Sequence, residues 1–150
     1  RLNIVREAIE DNVKLRASDI EFHLSKPNYT ISTLTHLNEK YPEHQFSLIM
    51  GEDNLRTFHK WYNHEVILEN HTIYVYPRVL TSSEEAEVMA QKGTIDHPYR
   101  NASNVVFCDD APIMKVSASF IRQSIKEGKD VRYLLTEPVY KYISEMHFYK

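Results

Sequence analysis

A single cysteine, Cys108, excludes an internal disulfide, and the lack of a cysteine cluster argues against a thiolate zinc site. A marked excess of charge of one sign is absent, with 18 basic and 21 acidic side chains. The net value of −3 leaves no basic footprint for a nucleic-acid polymer. Any phosphate binding must therefore come from a local site. No apolar run approaches the length of a membrane span, and the first residues lack the pattern of a secretory leader, so a cytoplasmic protein with no membrane partner is expected. Internal repeats and low-complexity stretches are also missing. What remains is ordinary globular material: 150 residues, 42% hydrophobic and 26% charged, enough for one domain over residues 1–150 with its own core.

Hydrophobic spacing predicts the elements. Leu2, Ile4, Val5, Ala8 and Ile9 run at helical intervals from the first residue and should end near Asn12. Because a native domain seldom begins inside a helix, an N-terminal piece is expected to be missing. Residues 13–22 read as extended. A turn at Pro27-Asn28-Tyr29-Thr30 leads into a helix with Ile31, Leu34 and Leu37 on one face, capped by Thr30 or Ser32 and stopped at Tyr41-Pro42. Residues 46–50 form an apolar run that suits a strand covered on both faces. Further strands are expected over 71–76 and 105–108. Helical stretches are expected from Asp53 or Asn54 toward His59, over 65–69, 81–93 and 119–127, and over 137–147 with Pro138 first, while 94–103 reads as a loop. Short strands alternating with amphipathic helices point to an α/β fold with a doubly wound parallel sheet. Ligands in that architecture sit beyond the carboxyl ends of the strands.

Polar motifs fall at those ends. In V-S-A-S-F-I-R, Val116 to Arg122, a serine caps a helix whose first N–H groups have no intrahelical partner. Those donors, the helix dipole and the Arg122 guanidinium suit an anion, although the same residues also make an ordinary cap followed by a surface arginine. In I-M-G-E-D-N-L-R-T-F-H-K-W-Y, Ile49 to Tyr62, Gly51 allows close approach of a ligand to the backbone. Asp53 suits a ribose hydroxyl or a helix cap. Trp61 is the only tryptophan, and its ring can stack on a flat heterocycle or fill a half-buried core position. P-N-Y-T at Pro27 to Thr30 is a turn whose N–H groups can hold a small carboxylate or simply start a helix. Cys108, ending an apolar run, reads as core filler.

Taken in order, P-N-Y-T, M-G-E-D-N-L-x-x-F-x-K-W-Y, a strand ending in Y-P-R, V-S-A-S-F-I-R and L-L-T-E-P-V-Y-K-Y-I resemble bacterial nicotinate-nucleotide adenylyltransferases, over nearly the whole chain. The serine-rich segment before Ile121-Arg122 places only the wider nucleotidyltransferase superfamily. The Trp-Tyr pair and the P-N-Y-T turn narrow it to the nicotinate enzyme. The resemblance implies a Rossmann-like fold and transfer of AMP from ATP to nicotinate mononucleotide, giving deamido-NAD and pyrophosphate in NAD biosynthesis. It places Gly51 and Asp53 on the adenosine side of ATP. Ser119, the N–H groups of Phe120 and Ile121, and Arg122 go to the phosphates, with Ser119 and Arg122 as the catalytic pair. Trp61 would lie on the pyridine ring, with Thr30 and Tyr62 holding the nicotinate carboxylate largely through their backbones and Arg78 nearby. Mg²⁺ is expected to be held by the substrate phosphates, with no protein metal cage.

Two departures accompany the resemblance. Members of the family begin with a strand and a G-x-F-x-P-x-H-x-G-H loop around the triphosphate. None of the eight histidines here, His23, His36, His44, His59, His64, His71, His97 and His147, falls in such a loop, so each reads as surface or structural. A chain lacking its first strand and phosphate loop is expected to show little activity alone and to self-associate, for instance as a homo-oligomer, through unpaired strand edges. Ala118 replaces a serine more usual in the family. The alternatives in play are a nicotinamide-mononucleotide or phosphopantetheine adenylyltransferase, and a non-catalytic fragment retaining part of the nucleotide site.

Overall fold

The computed structural model describes residues 1–78 and 99–150, which divide into two compact units, Leu24–Met114 and Arg1–His23 with Lys115–Lys150. The helix expected over 81–93 and the first part of the loop expected over 94–103 lie outside the described residues.

In the unit Leu24–Met114 the order is α1 (Thr30–Lys40), β1 (Leu48–Gly51), α2 (Glu52–Arg56), α3 (His64–Asn70), β2 (Ile73–Tyr76) and β3 (Val105–Phe107). The strands form a parallel sheet in the order β1-β2-β3. Parallel neighbours need a crossover, and α2 and α3 supply it between β1 and β2. This is the α/β, Rossmann-like arrangement that the spacing predicts. Register sets Leu48 beside Ile73 and Ile73 beside Val105, with Met50 beside Val75 and Val75 beside Phe107. Those rows share one face of the sheet. They pack with Leu34 of α1, Leu55 of α2, Phe58 from the turn between α2 and α3, and Ile67 of α3 as one core. Leu55, Phe58, Ile67 and Ile73 are 0% exposed, and each such side chain contributes roughly 1.5–3 kcal/mol by leaving water.

Residues on the opposite pleat behave differently. Ile49 is 76% exposed, which corrects the expectation of a strand covered on both faces. On the same pleat Tyr74 of β2 and Val106 of β3 are exposed too, so the core gathers on the side of Met50 and, among the described residues, the other face is left open. Tyr99 stands edge-on to Phe58, 5.5 Å between centroids, and burial, then the Glu65 charge, pushes its phenol pKa upward. His71 is buried and its Nδ1 lies 2.9 Å from the Phe46 carbonyl oxygen. That acceptor-only partner requires the proton on Nδ1, which makes His71 structural as the sequence predicts.

Helix α1 starts differently from expectation. Neither Thr30 nor Ser32 caps it; Tyr29 occupies the cap in extended conformation, and its carbonyl accepts from the Ser32 and Thr33 N–H groups at 3.0 and 3.2 Å. Tyr41 ends it, as read from Tyr41-Pro42.

The other unit holds three helices among its described residues: α4 (Leu2–Ile9), numbered after the first unit, α5 (Ala118–Lys126) and α6 (Glu137–Glu145). The α4 helix packs on α6, and Val131, Val139 and Ile143 are buried. Residues 13–22, expected as extended, make no strand. The Asn12 Oδ1 accepts from the Lys14 N–H and the Ser18 Oγ from the Ile20 N–H, at 3.0 and 3.3 Å. Such local bonds compete with a ladder, and the segment closes in a short 3₁₀ turn at Ile20–Phe22. Pro138 is the second residue of α6, after the Thr136 cap.

Helix α5 ends where the stretch expected over 119–127 ends, to within a residue. Gly128 takes φ +72°, its N–H reaches the Ile125 carbonyl and that of Lys129 the Ser124 carbonyl, both at 2.9 Å. These are the paired bonds of a Schellman motif, which favours glycine at its left-handed position. Beside it, hydrogen bonds from Lys129 and Gln123 and the Lys129 charge hold the Glu127 carboxyl below its usual range.

Candidate nucleotide site

In the unit Leu24–Met114, a pocket of about 250 Å³ is lined by Asn28, Tyr29, Thr30, Lys60, Trp61 and Tyr62. Two motifs separated in sequence thus meet. The P-N-Y-T turn supplies one wall, and the segment after β1 supplies the other. The local chemistry explains why. Phe58 is fully buried and anchors a 3₁₀ turn over Phe58–Lys60, which delivers Trp61 in extended conformation. Trp61 sets its edge against Phe58, with centroids 5.5 Å apart at 61°. Trp61 is part-buried against the core, as one of its two readings has it, and it also lines the pocket. Tyr62 faces Tyr29, centroids 4.6 Å apart and planes inclined by 33°.

Backbone donors complete this wall. The Trp61 N–H is used by the Phe58 carbonyl. Those of Thr30 and Tyr62 have no acceptor among the described residues. The sequence motifs did not single out Lys60, Tyr29 or Asn28 as lining residues. Their signal was adjacency, since each neighbours a residue that was chosen.

Gly51 and Asp53 sit at the carboxyl end of β1. Gly51 is the N-cap of α2, so Asp53 is a first-turn residue and not the cap. A Cβ on Gly51 would collide with the Asp53 carboxylate. Glycine here makes room for Asp53 itself. Arg78, just past β2, donates to Asp53. Residues assigned by resemblance to the adenosine side and to the pyridine side are thus partners of each other.

In the other unit, Ser117 is the cap of α5 and its Oγ accepts from the Phe120 N–H at 3.1 Å. The Ile121 N–H bonds the Ser117 carbonyl, also at 3.1 Å. Both groups expected to meet phosphate are therefore engaged in starting the helix. The N–H groups of Ala118 and Ser119 have no acceptor among the described residues. Arg122 Nη2 donates to Ser119 Oγ at 3.2 Å, so these two are together as predicted. They line an open depression with Gln123, Lys126, Tyr149 and Lys150. Arg122, Lys126 and Lys150 have no carboxylate partner among the described residues. The depression is electropositive and suits an anion.

The chain is 53% identical over 150 residues to a probable nicotinate-nucleotide adenylyltransferase of Flavobacterium johnsoniae, covering 100% of this chain and 72% of that protein. It is 49% identical to the protein of the same description from Christiangramia forsetii, over 100% of this chain and 71% of that one. The Bacteroides fragilis relative is 40% identical over 143 residues, 95% of this chain and 64% of its own length. The chain belongs to the nicotinate-nucleotide adenylyltransferase family. No family model matches it. The Tyr29–Trp61–Tyr62 pocket and the Arg122 depression are where residues of the sequence motifs meet a cleft. Among the described residues no helix is long and apolar enough to cross a membrane.

Proposed function

We propose that this chain transfers AMP from ATP to nicotinate mononucleotide, forming deamido-NAD and releasing pyrophosphate, in the cytoplasm. The observation that carries the reading is the pocket that Thr30, Tyr62 and Trp61 line together, the N–H groups of Thr30 and Tyr62 having no acceptor among the described residues. A planar pyridine ring bearing a carboxylate matches that combination of stacking surface and donors. A lone, half-buried Cys108 fits a reducing compartment.

In the proposed reaction a phosphate oxygen of nicotinate mononucleotide attacks the α-phosphorus of ATP in line. The bond to the β-phosphate oxygen breaks, and pyrophosphate leaves with that electron pair. No general base is needed, because the attacking phosphate is already an anion. Asp53, oriented by Arg78, would accept from the ATP ribose with Gly51 beside it. Ser119, Arg122 and the N–H groups of Ala118 and Ser119 at the start of α5, in place of those of Phe120 and Ile121 that the helix uses, would take the phosphates and stabilise the charge that spreads in the transition state. Thr30, Trp61, Tyr62 and Arg78 would serve the pyridine nucleotide. Mg²⁺ would enter on the phosphates of ATP and offset their charge. The proposal assigns the ion no protein ligands, because the phosphates themselves supply oxygen donors.

Pyrophosphate release with ATP and each acceptor in turn, measured on the full-length protein, tests the reading. Turnover with nicotinate mononucleotide well above that with nicotinamide mononucleotide or phosphopantetheine is expected. Preference for either of the other acceptors, or no turnover with any, would overturn it.

A further inference from the structure

We propose that Lys60 is a specificity-determining residue whose ammonium selects an acidic pyridine ring substituent over its uncharged amide. The inference rests on the proposed function and deepens it.

Among the residues lining the pocket, Lys60 alone carries a charge, and no acid lines it. Lys60 also forms no ion pair among the described residues. Its backbone is held in place, because the 3₁₀ turn Phe58–Lys60 is pinned by the fully buried Phe58. The backbone donors of the pocket already lean toward the acid. A carboxylate accepts from both the Thr30 and Tyr62 N–H groups, whereas a carboxamide turns its own NH₂ donor toward one of them. The two ring substituents differ as well in formal charge, to which an ammonium responds more strongly than a neutral N–H, and Lys60 is the charged side chain among the residues lining this pocket.

Lys60 is exposed. Its effect should accordingly lie between that of a solvated ion pair and that of a charge-assisted hydrogen bond, about three- to tenfold in affinity. It should also weaken with added salt, which screens exposed charges.

Calorimetric affinities of the full-length protein, K60Q and K60R for nicotinate mononucleotide and nicotinamide mononucleotide, in low and high salt, test the assignment. Lys60→Gln should cut the preference for the acid about three- to tenfold, with nicotinamide mononucleotide affinity changing less than twofold. Lys60→Arg should retain the preference, and high salt should shrink the gap between the unaltered protein and K60Q. An unchanged ratio in K60Q, or an equal loss for both nucleotides, overturns the role of Lys60 while leaving the proposed function standing. If the unaltered protein does not bind nicotinate mononucleotide, the proposed function falls and the assignment falls with it.

Discussion

Arg78 donates to the carboxylate of Asp53, joining the segment after β2 to the first turn after β1. Their side chains are 58% and 37% exposed, and an exposed pair of this kind stabilises a fold by at most about 1 kcal/mol. Its value lies in direction. Asp53 has rotamers to choose from, and the guanidinium fork selects one of them.

Arg78→Ala should therefore shift the unfolding free energy by less than about 1 kcal/mol and weaken ATP binding severalfold as Asp53 loses its orientation. Denaturant unfolding and ATP calorimetry on the same variant check this. A large stability loss with unaltered ATP affinity would show that the pair serves the fold alone.

Trp61→Ala should cost on the order of 1–3 kcal/mol of nicotinate mononucleotide binding, the range for a base stacked on an aromatic ring, with ATP affinity little changed. Because Trp61 is the only tryptophan, its fluorescence reports directly. Titration with nicotinate mononucleotide should change the emission, and a flat response would remove Trp61 from the site.

Arg122 bonds Ser119 from one turn along α5. Arg122→Ala should lose roughly 1.5–3 kcal/mol of ATP binding, as for a hydrogen bond to a charged group. Arg122→Lys should lose a smaller share, since a point charge replaces a fork. Calorimetry with ATP separates the variants, and equal affinity in all three proteins would place the phosphates elsewhere.

Gly128 lies in open space at φ +72°, so a methyl group there meets no neighbour and the penalty is conformational alone. Gly128→Ala should destabilise by about 1–2 kcal/mol, the cost of a left-handed L-residue. Urea unfolding should show it as a lower midpoint with an unchanged slope. No change would mean that the end of α5 is frayed.

Local rules, acting within a few residues, made much of this protein readable in one dimension. Ile31, Leu34 and Leu37 at helical spacing, the stop at Tyr41-Pro42, the apolar β2 run and the helix expected over 119–127 all formed as their patterns predict, because propensity and capping are settled by near neighbours. The order of motifs was sufficient to identify the family, since each motif is contiguous. Tertiary structure decided the rest. The fully buried Phe58 set the direction of Trp61, and the meeting of residues 28–30 with 60–62 made two unremarkable turns into one pocket with Lys60 on its wall. The Asp53–Arg78 pairing depended on which strands lie side by side. Residues 13–22 and Ile49 went against their patterns for the same reason. Whether an extended or apolar segment finds a ladder partner or a covering face is a property of distant residues, and period-two spacing records only what a strand could bury.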